Sequence, residues 1–477
     1  MGRTSKVVTS GLLICALAAV SVPAGIQLLP AFLPQDPAAV AVLPPPQEAP
    51  TSIGGVAGVE PLSDSAPLPD TAKLSTNLKK ALEFDGAGTF SMYVADAVTG
   101  KELFSQSGTS AATPASNLKL LTAAAALKTL GPDTRFSTRA VAGSKPHEIV
   151  LLAGGDSMLA AGPGSHDSVM GHAGMATLAE QTAKALTAAG VKGPVTITID
   201  DTLFTGSPLN PKWNDGDVDA GEIAPIYPMA LNAARLAPEV PEGPRPQDSA
   251  VAVAEAFLNA LEAAGVATTG TIARGKAPAA ADATSGTPAQ PGTVLGSLDS
   301  ATVAQQAQYM LEESDNYVAE VLARMTAAKL GMEASNTGAV AAIRQVVGQL
   351  GLPMADITTT DNCGLAVGNL ISPQRLVQLL SLMLTEPAAD IAQVLPGLPI
   401  AGLTGSLQHR FLAAPELAGA GLVRAKTGSL NNVTSMSGYV INDKGRLLVF
   451  SIIGNGLTDG AAARPVVDTA ASVLAQD

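Results

Sequence analysis

The stretch "TPASNLKLLTAAAALKTLG", residues 113–131, decides most of what this sequence predicts. Its five leucines and five alanines make the segment apolar on nearly every side, which predicts a buried helix. Gly131 and Pro132 predict where that helix ends. Ser116 and Lys119 are three positions apart, so they lie on one helix face within hydrogen-bond reach. A serine hydroxyl becomes a good nucleophile when an adjacent base takes its proton.

The same pair has a structural alternative, in which Ser116 caps the helix and Lys119 is an exposed charge. Leucines at 118, 120 and 121 surround the lysine, which makes an exposed position unfavourable. A lysine acts as a base only when it is neutral, and burial together with a nearby cation lowers its pKa. Other parts of the sequence must separate the two interpretations.

Composition excludes several classes of protein. The 477 residues are 47% hydrophobic but only 3% aromatic, and the net charge is −13 without a basic cluster, so nucleic-acid binding is not expected. The two cysteines are Cys15, near the N-terminus, and Cys363, which leaves no intrachain disulfide once the N-terminal segment is removed. The four histidines are scattered, so we predict neither a metal site nor a cofactor.

The N-terminal segment predicts export. Arg3 and Lys6 precede a long uncharged stretch, and residues 1–33 are predicted to be a signal peptide, cleaved near a V-P-A triplet, or an uncleaved membrane anchor. In either case the remainder is extracytoplasmic and touches the membrane only through this segment. Residues 34–70, rich in proline and alanine, are predicted to be an extended linker.

The strand-like segments predict an α/β (α+β) fold. Two runs in "GTFSMYVADAVTGKELFS" precede the helix, and three follow residue 420 in "GLVRAKTGS", "SMSGYVI" and "RLLVFSIIG". We expect them to form one five-stranded antiparallel sheet flanked by helices. Residues 135–295 alternate short strands with helices and are predicted to be an inserted domain. The catalytic domain would then comprise residues 71–134 and 296–477.

Two more motifs follow the first in a fixed order. Ser314-Asp315-Asn316 lies within a helical region, and Lys426-Thr427-Gly428-Ser429 lies on a strand followed by a hairpin. Alone, the former would be interpreted as a polar cap and the latter as a solvated strand end. Together with Ser116 and Lys119 they form the signature set of the penicillin-recognising serine acyl-transferases.

The wide separation of the first two motifs distinguishes members of this superfamily, because compact class A β-lactamases place them much closer together. The chain resembles the D-alanyl-D-alanine carboxypeptidase/endopeptidase family, the class C low-molecular-mass penicillin-binding proteins, over roughly residues 75–475. "VLLAGGDSML", "DDTLFTGSPLNPKW" and "LPIAGLTGSLQHRF" are similar to family segments. The chain departs from the family pattern at "DNCGL", where Cys363 replaces serine, and at "MALNAAR" around Asn232.

The resemblance implies a DD-peptidase/β-lactamase-like fold and a role for each motif residue. Ser116 is the nucleophile and Lys119 its base. Ser314 relays the proton to the departing amine, and Asn316 holds Lys119 and the substrate amide, while Asp315 points away and matters less.

The third motif would bind the substrate. Lys426 lowers the pKa of Lys119 and, with Thr427, binds a free carboxylate. Gly428 lets the substrate lie against the strand. The backbone N–H groups of Ser116 and Ser429 form an oxyanion hole.

The implied partners are peptidoglycan stem peptides, with β-lactams as inhibitors. One alternative is a serine β-lactamase, although no class A-like Glu-x-x-x-Asn segment follows the first motif. Another is a non-catalytic wall-binding module with a degenerate site, which the intact polar motif side chains argue against. Cys363 as a second nucleophile has little support, because no histidine is near it in sequence.

Overall fold

The two strands before the motif helix and the three near the C-terminus pair into one antiparallel sheet, which confirms the prediction. The computed structural model describes residues 62, 65–238, 240, 243–280, 290–385 and 390–476. The predicted signal segment and almost all of the predicted linker lie outside these residues. The strands are β1 (Thr89–Asp96), β2 (Glu102–Gln106), β3 (Ser137–Ala142), β4 (Glu148–Leu152), β5 (Val195–Asp200), β6 (Thr268–Arg274), β7 (Val294–Asp299), β8 (Arg424–Leu430), β9 (Val433–Ile441) and β10 (Leu447–Asn455).

Helices account for much of the rest of the described chain. The α-helices are α1 (Thr71–Ala81), α2 (Lys119–Leu130), α3 (Met175–Ala188), α4 (Asp215–Asp219), α5 (Ser249–Ala263), α6 (Val303–Glu312), α7 (Asn316–Lys329), α8 (Asn336–Gln349), α9 (Pro373–Thr385) and α10 (Arg464–Gln476). Short 3-10 helices cover Ala115–Leu118, Asn232–Ala234, Asp390–Gly397, Gly405–Leu407 and Glu416–Gly419. None of the helices in the described ranges is long and apolar enough to cross a membrane.

The first sheet has the strand order β2-β1-β10-β9-β8, with every pair antiparallel. Successive residues of a strand point to opposite faces, and both faces are buried. Met92 and Val94 share a core cluster with residues of α1 and α10. Tyr93 and Ala95 share another with residues of α2 and α7. Helices therefore cover both faces of the sheet, and β8 forms one edge of it.

The motif helix is buried as predicted, but it begins differently. Ten of the twelve residues of α2 are buried, and Gly131 ends the helix with a φ of 87°. Ser116 lies in the preceding 3-10 turn because Ala115 has a left-handed φ of 49°, which no continuous α-helix contains. Side chains at i and i+3 eclipse in 3-10 geometry, so the turn places Ser116 directly over Lys119.

The predicted insertion contains a second five-stranded sheet, ordered β6-β5-β4-β3-β7 and mixed in direction. Residues of α3 and α5 pack with it in a third core cluster. Its last strand, β7, continues to Asp299, past the predicted boundary at residue 295. Contacts join residues 62–477 into one compact unit, so the two sheets share a continuous body.

The fold brings the three motifs together. Ser314 and Asp315 form the break between α6 and α7, and Ser314 adopts a left-handed φ of 58°. Helix α2 packs against both α6 and α7. The turn before α2 packs against β8, the edge strand that carries the third motif.

Candidate active site

Ser116 and Lys119 contact each other. The Lys119 ammonium nitrogen, Nζ, lies 2.9 Å from Ser116 Oγ. Lys119 has no exposed surface. Pro114, and not Ser116, occupies the N-cap position of the 3-10 turn, and no side chain forms a capping hydrogen bond there. The structural alternative, a capping serine with an exposed lysine, is therefore wrong for this pair.

The second motif adds two side chains to the same centre. Asn316 Oδ1 accepts a hydrogen bond of 2.6 Å from Lys119 Nζ, and Asn316 Nδ2 donates to the carbonyl of Glu222. Ser314 Oγ accepts one of 2.9 Å from Lys426 Nζ, so the second motif contacts both lysines of the site.

Asp315, between these two residues, points away from both lysines. It caps helix α7, because its Oδ1 accepts from the backbone N–H of Val318 at 2.8 Å. Its Oδ2 forms a 2.7 Å ion pair with Arg235, which comes from the predicted insertion. The carboxylate is buried in these interactions, so its contribution is to the geometry of the motif.

Burial is the main cause that lowers the pKa of Lys119 below the usual lysine value. Cys363 and the carboxylates of Asp361, Asp315 and Glu320 oppose this shift, because a nearby negative charge favours the ammonium form. The sequence predicted that the cation on Lys426 would be needed. The complete burial of Lys119 lowers its pKa mainly by removing water, and this favours the neutral amine that a base requires.

Lys426 is also completely buried. Burial holds its pKa well below the usual lysine value, and the proximity of Lys119 and Arg410 lowers it further. Its Nζ also donates to the carbonyl of Thr427 at 2.7 Å. Two amines in one dry site disfavour each other's protonation, so a proton on one lysine promotes the neutral form of the other.

The third motif lies on β8 beside the turn that carries Ser116. Thr427 Oγ1 is 2.6 Å from Ser406 Oγ, which places a pair of hydroxyls at the strand. A Cβ on Gly428 would lie 2.8 Å from the carbonyl oxygen of Pro114 and still closer to Ser435 Oγ. The glycine therefore lets β8 approach the 3-10 turn of Ser116 closely, a reason that the sequence did not reveal.

A cavity of about 330 Å³ joins the motifs. All the predicted site residues except the buried lysines line it: Ser116, Ser314, Asn316, Thr427, Gly428 and Ser429. The roles of the Ser116 and Ser429 N–H groups as an oxyanion hole remain a prediction.

Sequence reasoning missed five polar side chains that line this cavity: Glu222, Arg235, Arg245, Glu313 and Ser406. Ser406 belongs to the family-like segment "LPIAGLTGSLQHRF", which is the signal that could have identified it. Glu313 directly precedes the second motif, and Glu222 and Arg245 belong to no motif of the sequence. Arg235 ends "MALNAAR", the segment that departs from the family pattern.

Cys363 contributes its backbone and not its thiol. Its carbonyl accepts a 2.7 Å hydrogen bond from Lys119 Nζ. The thiol is buried, and burial raises its pKa well above the usual cysteine value, with Asp361 and Glu320 adding to the shift. A thiol that resists ionisation is a poor nucleophile.

One group of potential metal ligands occurs in the described part of the chain, formed by Glu320, Asp361 and Cys363. Its carboxylates already accept hydrogen bonds from protein donors. The Asn362 side chain and backbone bind Glu320, and Trp213 Nε1 binds Asp361 at 2.9 Å. The cluster is accordingly a hydrogen-bonded support beneath Lys119.

Comparison with known structures identifies the fold. The chain has the DD-peptidase/β-lactamase-like fold. It superposes on penicillin-binding protein 4 (DacB) from Haemophilus influenzae with a TM-score of 0.67 at 17% identity, covering 86% of this chain and 100% of that one. A second structure of that protein, complexed with a β-lactam, gives a TM-score of 0.60 at 19% identity over 85% and 98% of the two chains.

Sequence comparison identifies the family. The D-Ala-D-Ala carboxypeptidase 3 (S13) family matches residues 71–248 and 240–477, and the chain belongs to this family. The carboxypeptidase DacB of Mycolicibacterium smegmatis is 32% identical over 422 residues, which is 87% of this chain and 87% of that protein. The protein is thus an enzyme, a D-Ala-D-Ala carboxypeptidase, as the sequence motifs predicted.

Proposed function

We propose that this chain is an exported serine D-Ala-D-Ala carboxypeptidase/endopeptidase that acts on peptidoglycan stem peptides through an acyl-enzyme on Ser116. The observation that carries the proposal is the 2.9 Å contact between Ser116 Oγ and the amine of the buried Lys119, at the floor of a cavity lined by the other two motifs. Family membership agrees with the reaction class.

The first half of the reaction is acylation. Neutral Lys119 takes the proton from Ser116, and Oγ attacks the carbonyl carbon of the penultimate D-Ala. Backbone N–H groups at Ser116 and Ser429 would hold the oxygen as it becomes negative, a contribution of about 100- to 1000-fold in rate for each such donor. Asn316 fixes Lys119 in line with Ser116, because it accepts one of the amine's hydrogen bonds.

The leaving group also needs a proton. Ser314 Oγ lies 2.9 Å from Lys426 Nζ, so it can give its own proton to the departing amine of the terminal D-Ala and take a replacement from Lys426, while the proton from Ser116 stays on Lys119 until Oγ leaves again in hydrolysis. The C–N bond then breaks and the ester on Ser116 remains. Water hydrolyses this ester and returns the free serine. Cleavage of a D-Ala–meso-diaminopimelate cross-link follows the same steps with a different amine.

The terminal carboxylate of the substrate is the group that the third motif would bind. Thr427 and Ser406 place two hydroxyls 2.6 Å apart at β8, beside the buried cation site of Lys426. A β-lactam carries a carboxylate next to a strained amide and mimics the peptide. The solved complex of the H. influenzae relative with a β-lactam supports the proposal that β-lactams bind here.

Export is proposed from the sequence alone. The charged start at Arg3 and Lys6, followed by an uncharged apolar stretch, would direct the chain across the membrane, where its polymer substrate lies.

The test is the intact mass of the full chain after incubation with benzylpenicillin, followed over hours, with Ser116→Ala as control. We expect one lasting adduct that maps to Ser116, and no adduct on a folded Ser116→Ala protein. An adduct that is lost within seconds while penicillin is consumed would instead identify a β-lactamase. The absence of both labelling and consumption would leave the non-catalytic binding module.

A further inference from the structure

A strained turn in the predicted insertion faces the second motif. Asn232, Ala233 and Ala234 all have left-handed backbones, with φ of 51°, 56° and 58°, and all three are buried. This conformation is unfavourable for residues other than glycine and persists where the surrounding structure enforces it, which is common at functional sites.

Hydrogen bonds hold this turn in place. The N–H of Ala233 donates to the carbonyl of Ser157 at 2.8 Å, and that of Asn232 donates to Leu159 at 3.0 Å. The carbonyl of Ala233 in turn accepts from Arg245 Nη1 at 2.9 Å. These hydrogen bonds fix the backbone of the turn on both sides. They therefore also fix the direction in which the next residue, Arg235, extends.

Arg235 reaches from this turn to the second motif. Its Nη2 lies 2.7 Å from Asp315 Oδ2, with only 10% of the arginine side chain and none of the aspartate side chain exposed. Its Nη1 donates to the Tyr309 hydroxyl at 3.0 Å, which attaches the guanidinium to helix α6 as well. A planar guanidinium with two fixed partners restrains their relative positions.

Asp315 lies between two residues of the proposed catalytic machinery. Ser314 contacts Lys426, and Asn316 contacts Lys119. The left-handed Ser314 makes this segment strained, so it needs external support to keep both contacts at once. Asp315 supplies that support through its two oxygens, one on the start of α7 and one on Arg235.

We propose that Arg235 is a positioning residue for the reaction, which holds Ser314 and Asn316 in register with the two lysines by anchoring Asp315. The inference rests on the proposed acylation of Ser116. It assigns a task to the insertion, whose strained turn places Arg235.

The ion pair also has an electrostatic consequence. Arg235 faces Asp315, Tyr309 and Glu313, with Arg245 nearby as a second cation and Glu222 beside Arg245. Although the Asp315 carboxylate points away from Lys119, its charge acts on that lysine, as do those of Asp361, Glu320 and Cys363. Removal of the Arg235 charge leaves the Asp315 carboxylate uncompensated, which favours the ammonium form of Lys119. Since the base must be neutral, the acid limb of the acylation rate should move to higher pH.

The experiment is a double-mutant cycle on the full chain, with Arg235→Gln, Asp315→Asn and the double variant. The acylation rate with benzylpenicillin is measured across pH by intact mass, and thermal unfolding is recorded for each protein. Arg274→Gln is the matched control, because Arg274 also pairs with aspartates, Asp201 and Asp248, but its side chain is 45% exposed and does not line the cavity.

We expect Arg235→Gln to slow acylation by about 10- to 100-fold, the range that a displacement of about 1 Å in an active site produces. The acid limb of the rate–pH profile of Arg235→Gln should move to higher pH. Adding Asp315→Asn should move that limb back toward its wild-type position. The double variant should be no slower than the slower single variant, because both act through one contact. If Arg235→Gln does not fold, Asp315→Asn alone should show the loss of rate, since asparagine keeps an oxygen for the α7 cap.

Three outcomes would overturn the inference while the wild-type chain is labelled normally. The first is an acylation rate for Arg235→Gln within twofold of the wild-type rate, and the second is a loss of rate that multiplies in the double variant. A reduced folded fraction with an unchanged pH profile would assign Arg235 to stability only and also overturn it. No labelling of the wild-type chain would refute the proposed function itself, and this inference with it.

Discussion

Replacement of Lys119 by methionine tests the central assignment most directly. Methionine is unbranched and of similar length, so Lys119→Met removes the amine from a fully buried site while it keeps most of the side-chain volume. The amine nitrogen lies within hydrogen-bond distance of three groups, Ser116 Oγ at 2.9 Å, Asn316 Oδ1 at 2.6 Å and the Cys363 carbonyl at 2.7 Å. In its neutral form it donates its two N–H groups to Asn316 and Cys363 and accepts from the Ser116 hydroxyl. Only the contact with Ser116 concerns the proton of the nucleophile.

The expected loss of rate follows from that proton. General-base catalysis contributes about 100- to 10,000-fold, which corresponds to about 3 to 5.5 kcal/mol of barrier. The effect on stability is a different quantity. Asn316 and Cys363 each lose a donor in a buried site, at about 1–3 kcal/mol apiece, and relief from burying an amine offsets part of this. The acylation rate of the folded Lys119→Met protein should therefore fall, beyond any loss caused by a smaller folded fraction.

The assay is the rate at which benzylpenicillin adds to the full chain, measured by intact mass, with Lys128→Met as the matched control. Lys128 lies on the same helix but is exposed, so its replacement should leave the rate unchanged. The wild-type rate should rise with pH up to the Lys119 pKa, which lies below the usual 10.5 because of burial, and Lys119→Met should lack this limb. A Lys119→Met rate within tenfold of wild type would refute the assignment of Lys119 as the base.

Two further predictions concern the support of the site. Gly428→Ala should cost about 1–3 kcal/mol of stability by overpacking and slow acylation, because its Cβ would meet the Pro114 carbonyl 2.8 Å away; Gly162→Ala, which meets open space, should do neither. Burial raises the pKa of Asp156 to about 7 from 3.8, so between these values it is protonated when folded and ionised when unfolded. As the pH rises through that window, this group should lower the free energy of unfolding by about 1.4 kcal/mol per pH unit. Asp156→Asn should remove this pH dependence when the two proteins are compared by denaturant titration. An unchanged slope would contradict this ionisation.

Local patterns made much of the fold predictable. The strand-like segments of β1 and β10, the apolar segment of α2 and the turn residue Gly131 each carry a short-range signal, and each was confirmed. The way in which the motif helix begins could not be predicted from local sequence. The left-handed Ala115 and its 3-10 turn depend on the packing of β8 against this segment, which involves residues about 300 positions away in sequence.

The candidate active site likewise contains residues that the sequence could predict and residues that it could not. The spacing of Ser116 and Lys119 predicted their contact, because three residues along a helical turn bring two side chains together whatever surrounds them. Arg235, Arg245 and Glu222 could not be predicted. Their place in the cavity results from how the insertion folds back on the second motif, and no local spacing encodes that.

The sequence by itself predicted which groups would carry the chemistry: a serine, two lysines and a second serine with an asparagine, in an order that specifies the family. The tertiary structure decided whether those groups can react. It buries Lys119 so that its pKa falls, sets the Cys363 carbonyl and Asn316 as its partners, and anchors Asp315 on a distant arginine. The physical reason is that identity and short spacing are properties of the chain, whereas desolvation and long-range hydrogen bonds exist only once the chain has folded.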